Sequence, residues 1–149
     1  MLDEEYSRLE KLGFGQYGEV WCGKSLKNLP QALVAIKIFK RGCKDSIIMD
    51  ELNMMNDLRD LNEERKGGHH PNLVNVVRTD LLCGNDTNLR RTAVMEYLGG
   101  QELFERILSR KSYSERDAAI TIYALADALR KFIDVLIVTS RYNMHAFVT

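Results

Sequence analysis

Leu12-Gly-Phe-Gly-Gln-Tyr-Gly-Glu-Val-Trp21, followed by Leu33-Val-Ala-Ile-Lys-Ile-Phe39, is the stretch that decides the fold. The second run is β-branched and too short for a helix, so it reads as a buried strand. The first is a G-x-G-x-x-G, with Gly13, Gly15 and Gly18 set between Leu9–Phe14 and Glu19–Cys22. A dinucleotide-binding loop of this spacing needs a helix directly after it and an acid about 20 residues on. Here Glu19-Val-Trp21 continues as strand and Val34–Phe39 contains no acid, so that reading fails. Two readings stay open: a plain glycine-rich turn, or a glycine hairpin whose close-approaching backbone points N–H groups at nucleotide phosphates.

Working outward, Lys37 sits inside the most apolar strand of the chain. With a period of two it shares a face with Ala35, opposite Val34, Ile36 and Ile38. It is either an edge lysine reaching for water or an ammonium that meets a phosphate or carboxylate. From residue 46 to 62 the period switches to helical, marked by Ile47, Ile48, Leu52, Met54, Met55, Leu58 and Leu61, with Asp45 or Ser46 as N-cap. Glu51 falls on the stripe Ile47, Glu51, Met54, Leu58, spaced four, three and four. A carboxylate there is either solvated at the stripe edge or paired, because unpaired burial is costly. Lys37 and Glu51 are natural partners.

The remaining punctuation is simple. Lys24–Gln31 reads as a turn, Asn62–Gly68 as a polar loop, and residues 73–83 and 91–98 as strands joined by Gly84–Asn88. Leu103–Leu108 suggests a short helix. Ser114 and Asp117 have capping-box spacing ahead of a helical face formed by Ala118, Ile122, Leu125, Leu129 and Phe132. Phe132–Thr139 is β-branched and nearly continuous. Strands, one helix, strands, then helices make an α+β pattern with an antiparallel sheet.

The chain has 149 residues, suiting one domain, and its 21 basic residues balance 21 acidic ones. A nucleic-acid binder usually carries a basic excess, so none is expected as partner. No stretch approaches the roughly 18 apolar residues of a membrane span, and the acidic N-terminus is no secretory signal. Cys22, Cys43 and Cys83 form no CxxC pair, which argues against a disulfide framework or four-cysteine zinc site and for a reducing, cytoplasmic setting. Cys22 and Cys83 read as core, Trp21 as packing, and His70 as a structural hydrogen-bonder rather than a metal ligand.

Jointly, G-x-G-x-x-G-x-V at Gly13–Val20, V-A-I-K at Val34–Lys37, Glu51, His70-Pro-Asn-Leu-Val74, Val94-Met-Glu-Tyr97 and Gly99-Gly-Gln-Glu-Leu-Phe104 resemble the eukaryotic protein kinases over residues 6–130. The wording of Met95–Ile107 and Tyr113–Ala119 is most similar to calcium/calmodulin-dependent and calcium-dependent Ser/Thr kinases. The resemblance implies a small lobe with a five-stranded antiparallel sheet and one large helix, with its hinge, over 1–98. The start of a helical large lobe follows over 99–130, and a tail departing from the family over 131–149. It implies that Gly13, Gly15 and Gly18 shape the loop over the ATP phosphates, with Tyr17 at its tip. Lys37 contacts the α- and β-phosphates and pairs with Glu51. Leu12, Val20 and Ala35 cover the adenine, Met95 is the gatekeeper, the backbone of Glu96 and Leu98 meets the adenine edge, and Glu102 lies near the ribose. The loop Arg59–Gly68 is longer than usual, which makes Glu63 and Glu64 competitors for Glu51's place; the apolar pattern after Glu51 favours Glu51.

The family's H-R-D-x-x-x-x-N, D-F-G and A-P-E do not occur. The expected partners are therefore ATP and a protein substrate or protein partner. Mg²⁺ belongs to the complete family, with its ligands missing here and no metal site assigned. The chain reads as the ATP-binding portion of a protein Ser/Thr kinase domain, inactive as a fragment and possessing no identified catalytic base. A non-catalytic kinase-like interaction module and an unstable fragment of a truncated gene model are the alternatives.

Overall fold

The computed structural model describes residues 1–27, 32–64, 69–85, 88–100, 102–109 and 114–145, and among these gives no side-chain account of 61–64 and 134–145. The tips of two predicted loops (28–31 and 65–68), the side chains of Glu63 and Glu64, and Tyr113 thus lie outside the described residues.

In chain order the elements are α1 (Leu2–Glu5), β1 (Tyr6–Phe14), β2 (Gly18–Ser25), β3 (Leu33–Phe39), α2 (Asp45–Glu64), β4 (Val76–Arg78), β5 (Leu82–Cys83), β6 (Arg90–Glu96), α3 (Leu103–Ser109) and α4 (Glu115–His145). They fall into two compact units, residues 1–69 with 74–97, and residues 70–73 with 98–149.

The first unit is an antiparallel sheet in the order β1-β2-β3-β6-β4, with β5 paired to the start of β6. It therefore has six strands, not the expected five. The predicted strand over 73–83 is interrupted at Thr79–Leu81, where side chains capture the backbone's neighbours. Arg78 binds the Asp80 carboxylate through Nε and Nη2 at 2.9 and 2.7 Å, and the Thr79 hydroxyl donates to Asn56 of α2. Leu81 keeps its carbonyl bonded to β6 through the Thr92 amide (3.1 Å) and hydroxyl (2.8 Å).

Alternation along β3 divides the core in two. Val34, Ile36 and Ile38 point to a cluster with Leu2, Tyr6, Leu81, Cys83 and Val94, against which Trp21 packs. Phe39 points the other way, to Ile48 and Leu52 of α2 and Ala93 of β6, with Met55 and Met95 at the margin. Ile48, Leu52 and Met55 are spaced four and three apart, one face of a helix. Cys22 and Cys83 are buried free thiols, and burial pushes the Cys22 thiol up.

Helix α2 differs from expectation at both ends. Its first helical residue is Asp45, so the residue ahead of it is Lys44, whose carbonyl accepts from Ile47 (3.0 Å) and Ile48 (3.3 Å). Neither Asp45 nor Ser46 is the cap. At the other end Asn62–Glu64 are helical rather than loop; once a helix has nucleated, each further residue adds a hydrogen bond.

In the second unit Ser114 caps α4 as predicted. Its Oγ accepts the Asp117 N–H at 3.0 Å and donates to the Asp117 carboxylate at 2.8 Å. The helix then runs through the β-branched run Phe132–Thr139 to His145. Intrinsic preference against helix is only some tenths of a kcal/mol per Val or Ile, too little to end a helix already propagating. No described helix is long and apolar enough to cross a membrane.

Candidate functional site

Cross-strand pairing places the candidate residues. Val20 of β2 opposes Lys37 of β3, which opposes Ala93 of β6; one step along, Cys22 opposes Ala35, which opposes Met95. Directly opposed residues of an antiparallel sheet share a face. Val20, Lys37, Ala35 and Met95 therefore lie together on the face that carries α2. The period-2 pattern of Leu33–Phe39 that built the core also fixes this, because Lys37 alternates with Ile36 and Ile38.

Across that interface the Lys37 Nζ donates to Glu51 Oε1 in a salt bridge. Each side chain keeps only 20% of its exposure, so the pair is partly withdrawn from water. Glu51 reaches the sheet because it lies between Ile48 and Leu52, the residues that dock α2. The solvated-edge reading of Glu51 and the snorkelling reading of Lys37 are both excluded. The Lys37 ammonium also lies 5.0 Å from the centroid of the Phe39 ring.

The glycine turn joins β1 to β2 next to this row. Gly15 N–H donates to the Gly18 carbonyl at 2.8 Å, and Lys40 N–H holds the Tyr17 carbonyl at 2.8 Å, tying the tip to the end of β3. The three glycines differ in what demands them. A Cβ on Gly18 would stand 2.4 Å from the Ile38 carbonyl oxygen, so the sheet itself requires glycine there. A Cβ on Gly13 would meet nothing within 4 Å, and one on Gly15 only the Gly18 oxygen at 4.0 Å. Neither has a positive φ, a feature confined among the described residues to Gly42 and Gly84. Gly13 and Gly15 therefore leave the space over their backbone open, although the Gly15 N–H is itself taken by the Gly18 carbonyl. Leu12 lies in β1 just ahead of the turn, 43% exposed.

At the far end of β6, Glu96 is held on both sides by Asn75. Its N–H donates to the Asn75 carbonyl at 2.9 Å, and its carboxylate accepts the Asn75 N–H at 2.7 Å. Leu98 and Glu102 belong to the second unit and are exposed there. The structure thus brings Leu12, Gly13, Gly15, Gly18, Val20, Ala35, Lys37, Glu51, Met95 and Glu96 into one unit.

Two polar networks were not legible beforehand. Glu19, directly after the turn, accepts from Lys11 and Arg90 at 3.0 Å each. The Lys11 hydrogen bond, with Arg90 assisting, holds its carboxyl below the usual range. In the second unit, Asn72 N–H donates to His70 Nδ1 at 3.2 Å, which leaves Nε2 facing Asp127 at 3.2 Å. Asn72 Nδ2 and Arg130 reach the same carboxylate at 3.1 and 3.2 Å, and Arg130 first, then Asn72 and His70, lower its pKa. His70 is thus buried as a hydrogen-bonder. The partners in both networks are separated by up to 71 residues, and no local pattern announces such pairs. No cluster of three or more metal-ligating side chains occurs among the described residues.

Curated relatives extend the geometry. The chain is 36% identical over 119 residues to serine/threonine-protein kinase SRK2J of Arabidopsis thaliana, covering 77% of this chain and 29% of that protein. It is 32% identical over 118 residues to serine/threonine-protein kinase SAPK3 of Oryza sativa subsp. japonica, covering 78% and 30%. With calcium/calmodulin-dependent protein kinase type 1 of Macrobrachium nipponense it shares 28% over 128 residues, 86% of this chain and 33% of the relative. The chain spans about a third of the length of these relatives. No family model matches it.

Proposed function

Because this chain is of protein kinase origin, with serine/threonine protein kinases as its relatives, we propose that it binds ATP through its first unit. One observation carries the reading: the Lys37–Glu51 pair stands in the Val20–Lys37–Ala93 row, beside a turn where Gly13 and Gly15 leave the space over the backbone open. ATP brings a polyphosphate and a flat purine, and the residues fit both. Lys37 supplies a cation for the α- and β-phosphates, and Glu51 fixes where that cation stands. The turn offers N–H donors at close approach. Leu12, Val20, Ala35 and Met95 offer apolar cover to the base. The Glu96 N–H is engaged with Asn75, so the contact assigned to Glu96 falls to its carbonyl.

Phosphoryl transfer needs positioning plus charge stabilisation at both the attacking and leaving oxygens. The chain's own residues supply the phosphate side. No residue is assigned as catalytic base or Mg²⁺ ligand, so the reading is a nucleotide-binding module that meets a protein partner in the cytoplasm without phosphorylating it. Titration calorimetry with ATP, with and without Mg²⁺, tests this. Weak binding with little Mg²⁺ dependence is expected, and Lys37→Met should weaken it by roughly 1.5–3 kcal/mol, the value of a charge-assisted contact. Binding that Lys37→Met leaves unchanged overturns the site. Lys37-dependent labelling of a basic peptide from radiolabelled ATP overturns the inactivity.

A further inference from the structure

Helix α2 meets the sheet along a ridge of apolar side chains and is tethered by a polar side chain on each flank of that ridge. The ridge is Ile48 and Leu52, buried against Phe39 and Ala93, with Met49, Met55 and Met95 at its margin. Glu51 lies on one flank and forms the salt bridge with Lys37 of β3. Asn56, five residues on, lies on the other flank, roughly 140° around the helix and about 7.5 Å along it. There its side-chain oxygen accepts from the hydroxyl of Thr79, in the segment between β4 and β5. Thr79 is only 7% exposed, so its hydroxyl has little water to turn to. Its neighbours on both sides are fixed within the same unit. Arg78 binds Asp80 through Nε and Nη2 and Glu5 at 2.7 Å, and the Leu81 carbonyl is held by Thr92 of β6. Thr79 is thus an anchor set in the sheet, and what it holds is the helix that carries Glu51.

We propose that Thr79 is a positioning residue for the Lys37–Glu51 pair, acting through Asn56 on the rotation of α2. The apolar ridge does not define that rotation by itself. Three of its marginal side chains are methionines, unbranched and adaptable, so the helix can roll on them and refill the gaps at little cost. A hydrogen bond is directional, and breaking it leaves a buried polar group without its partner. The Lys37–Glu51 tether alone leaves α2 free to turn about one flank; a second tether on the opposite flank selects one rotation. The break in the strand over 73–83 therefore bears on the site, because Thr79 lies in that break. The use of the pair for nucleotide phosphates rests on the function proposed above; the coupling of Thr79 to the pair does not.

The test is lysine footprinting: the full chain is acetylated with an N-hydroxysuccinimide ester, and the rate at each lysine is read by mass spectrometry. An ammonium engaged by a carboxylate and 20% exposed is shielded from the reagent. Glu51→Gln should raise the Lys37 rate at least fivefold. Thr79→Val, which keeps the shape and removes the hydroxyl, should raise it at least threefold. Asn56→Ala, which removes the other partner and suits a helix, should do the same, and decides the matter where Thr79→Val does not fold. Thr79→Ser, which keeps the hydroxyl, should stay within twofold of the parent. Lys24, half-buried in β2 of the same sheet, should change less than twofold throughout. In the Glu51→Gln background Thr79→Val should add nothing. A Lys37 rate unchanged by Thr79→Val and Asn56→Ala overturns the proposal. So does an equal rise at Lys24, which would mean that Thr79 serves only the stability of the sheet, or a further rise on top of Glu51→Gln, which would mean that it does not act through that carboxylate. ATP calorimetry separates this from the nucleotide site. A parent that binds no ATP yet gives the expected footprint refutes the site and supports the positioning role. ATP binding that Lys37→Met weakens, with a Lys37 rate indifferent to Thr79, refutes the positioning role alone.

Discussion

Every buried hydrophobic side chain described in this molecule, from Leu2 to Val94, belongs to the sheet unit. In the helical unit the apolar residues are outside: Phe104, Leu108, Ile122, Leu125 and Leu129 are each more than half exposed, and α3 buries nothing. The two regions have similar apolar patterning in sequence, since both α2 and α4 carry helical stripes. They differ in whether something covers the stripe. A sheet packs a core on each face, and α2 covers one of them. The difference teaches that an amphipathic pattern specifies a helix but confers stability only when a partner removes its apolar face from water.

The largest effect that tests this contrast is truncation on each side of it. Ile36 is fully buried and Ile122 is 64% exposed. Ile36→Ala should cost about 2–5 kcal/mol through lost burial and a residual cavity, and Ile122→Ala no more than about 0.5 kcal/mol. Trp21, the only tryptophan, packs on the Ile36 cluster and reports the sheet's unfolding in urea. A comparable loss for Ile122→Ala would break the contrast, by showing that the stability of the sheet depends on the helical stripe.

A smaller effect sharpens the contrast within the sheet unit itself, between two glycines of one turn. Gly18→Ala forces a Cβ against the Ile38 carbonyl at 2.4 Å, backbone that can yield only by opening the β2–β3 ladder. A loss of about 1–3 kcal/mol is expected, the range for overpacking. Gly13→Ala enters open space and should leave the urea midpoint nearly unchanged while weakening ATP in calorimetry. Equal destabilisation by both would mean that Gly13 serves the fold, and would remove the argument that its bare backbone awaits a ligand.

How much of this was legible in the sequence depended on how local the cause was. The alternation of Val34 to Phe39 determined which face Lys37 takes; the helical stripe through Glu51 pointed to it as partner, although the face that docks is Ile48, Leu52 and Met55 and Ile47 of the predicted stripe is exposed. Ser114 and Asp117, three apart, announced their cap. The strand count failed at Thr79–Leu81 because the interruption comes from Arg78 and Asn56 side chains, whose reach a run of residues does not show. Asp45 and Ser46 were plausible caps by residue type, yet the chain enters the helix one residue earlier. Phe132–Thr139, β-branched as it is, continues α4, because β-propensity largely measures fit to a half-buried pleated surface.

The smallest expected effect compares one carboxylate from each unit. Glu19 and Asp127 both have lowered pKa values, Glu19 chiefly through Lys11 and then Arg90, Asp127 chiefly through Arg130. A carboxyl whose folded pKa is depressed contributes stability that is present above its unfolded value and is lost as pH falls through the folded one. For Glu19 the unfolded value is about 4.5, so its contribution should be intact at pH 7 and decline below pH 4.5. The difference in urea midpoint between the parent and Glu19→Gln, read by Trp21, should therefore be present at pH 7 and close in acid. Asp127→Asn should leave the Trp21 transition unchanged at every pH, because the carboxylate it removes serves His70, Asn72 and Arg130 in the other unit. If Asp127→Asn steepens or flattens the acid limb as much as Glu19→Gln does, the two units unfold as one cooperative body, and the division of stability between a covered sheet and an uncovered helix pair is wrong.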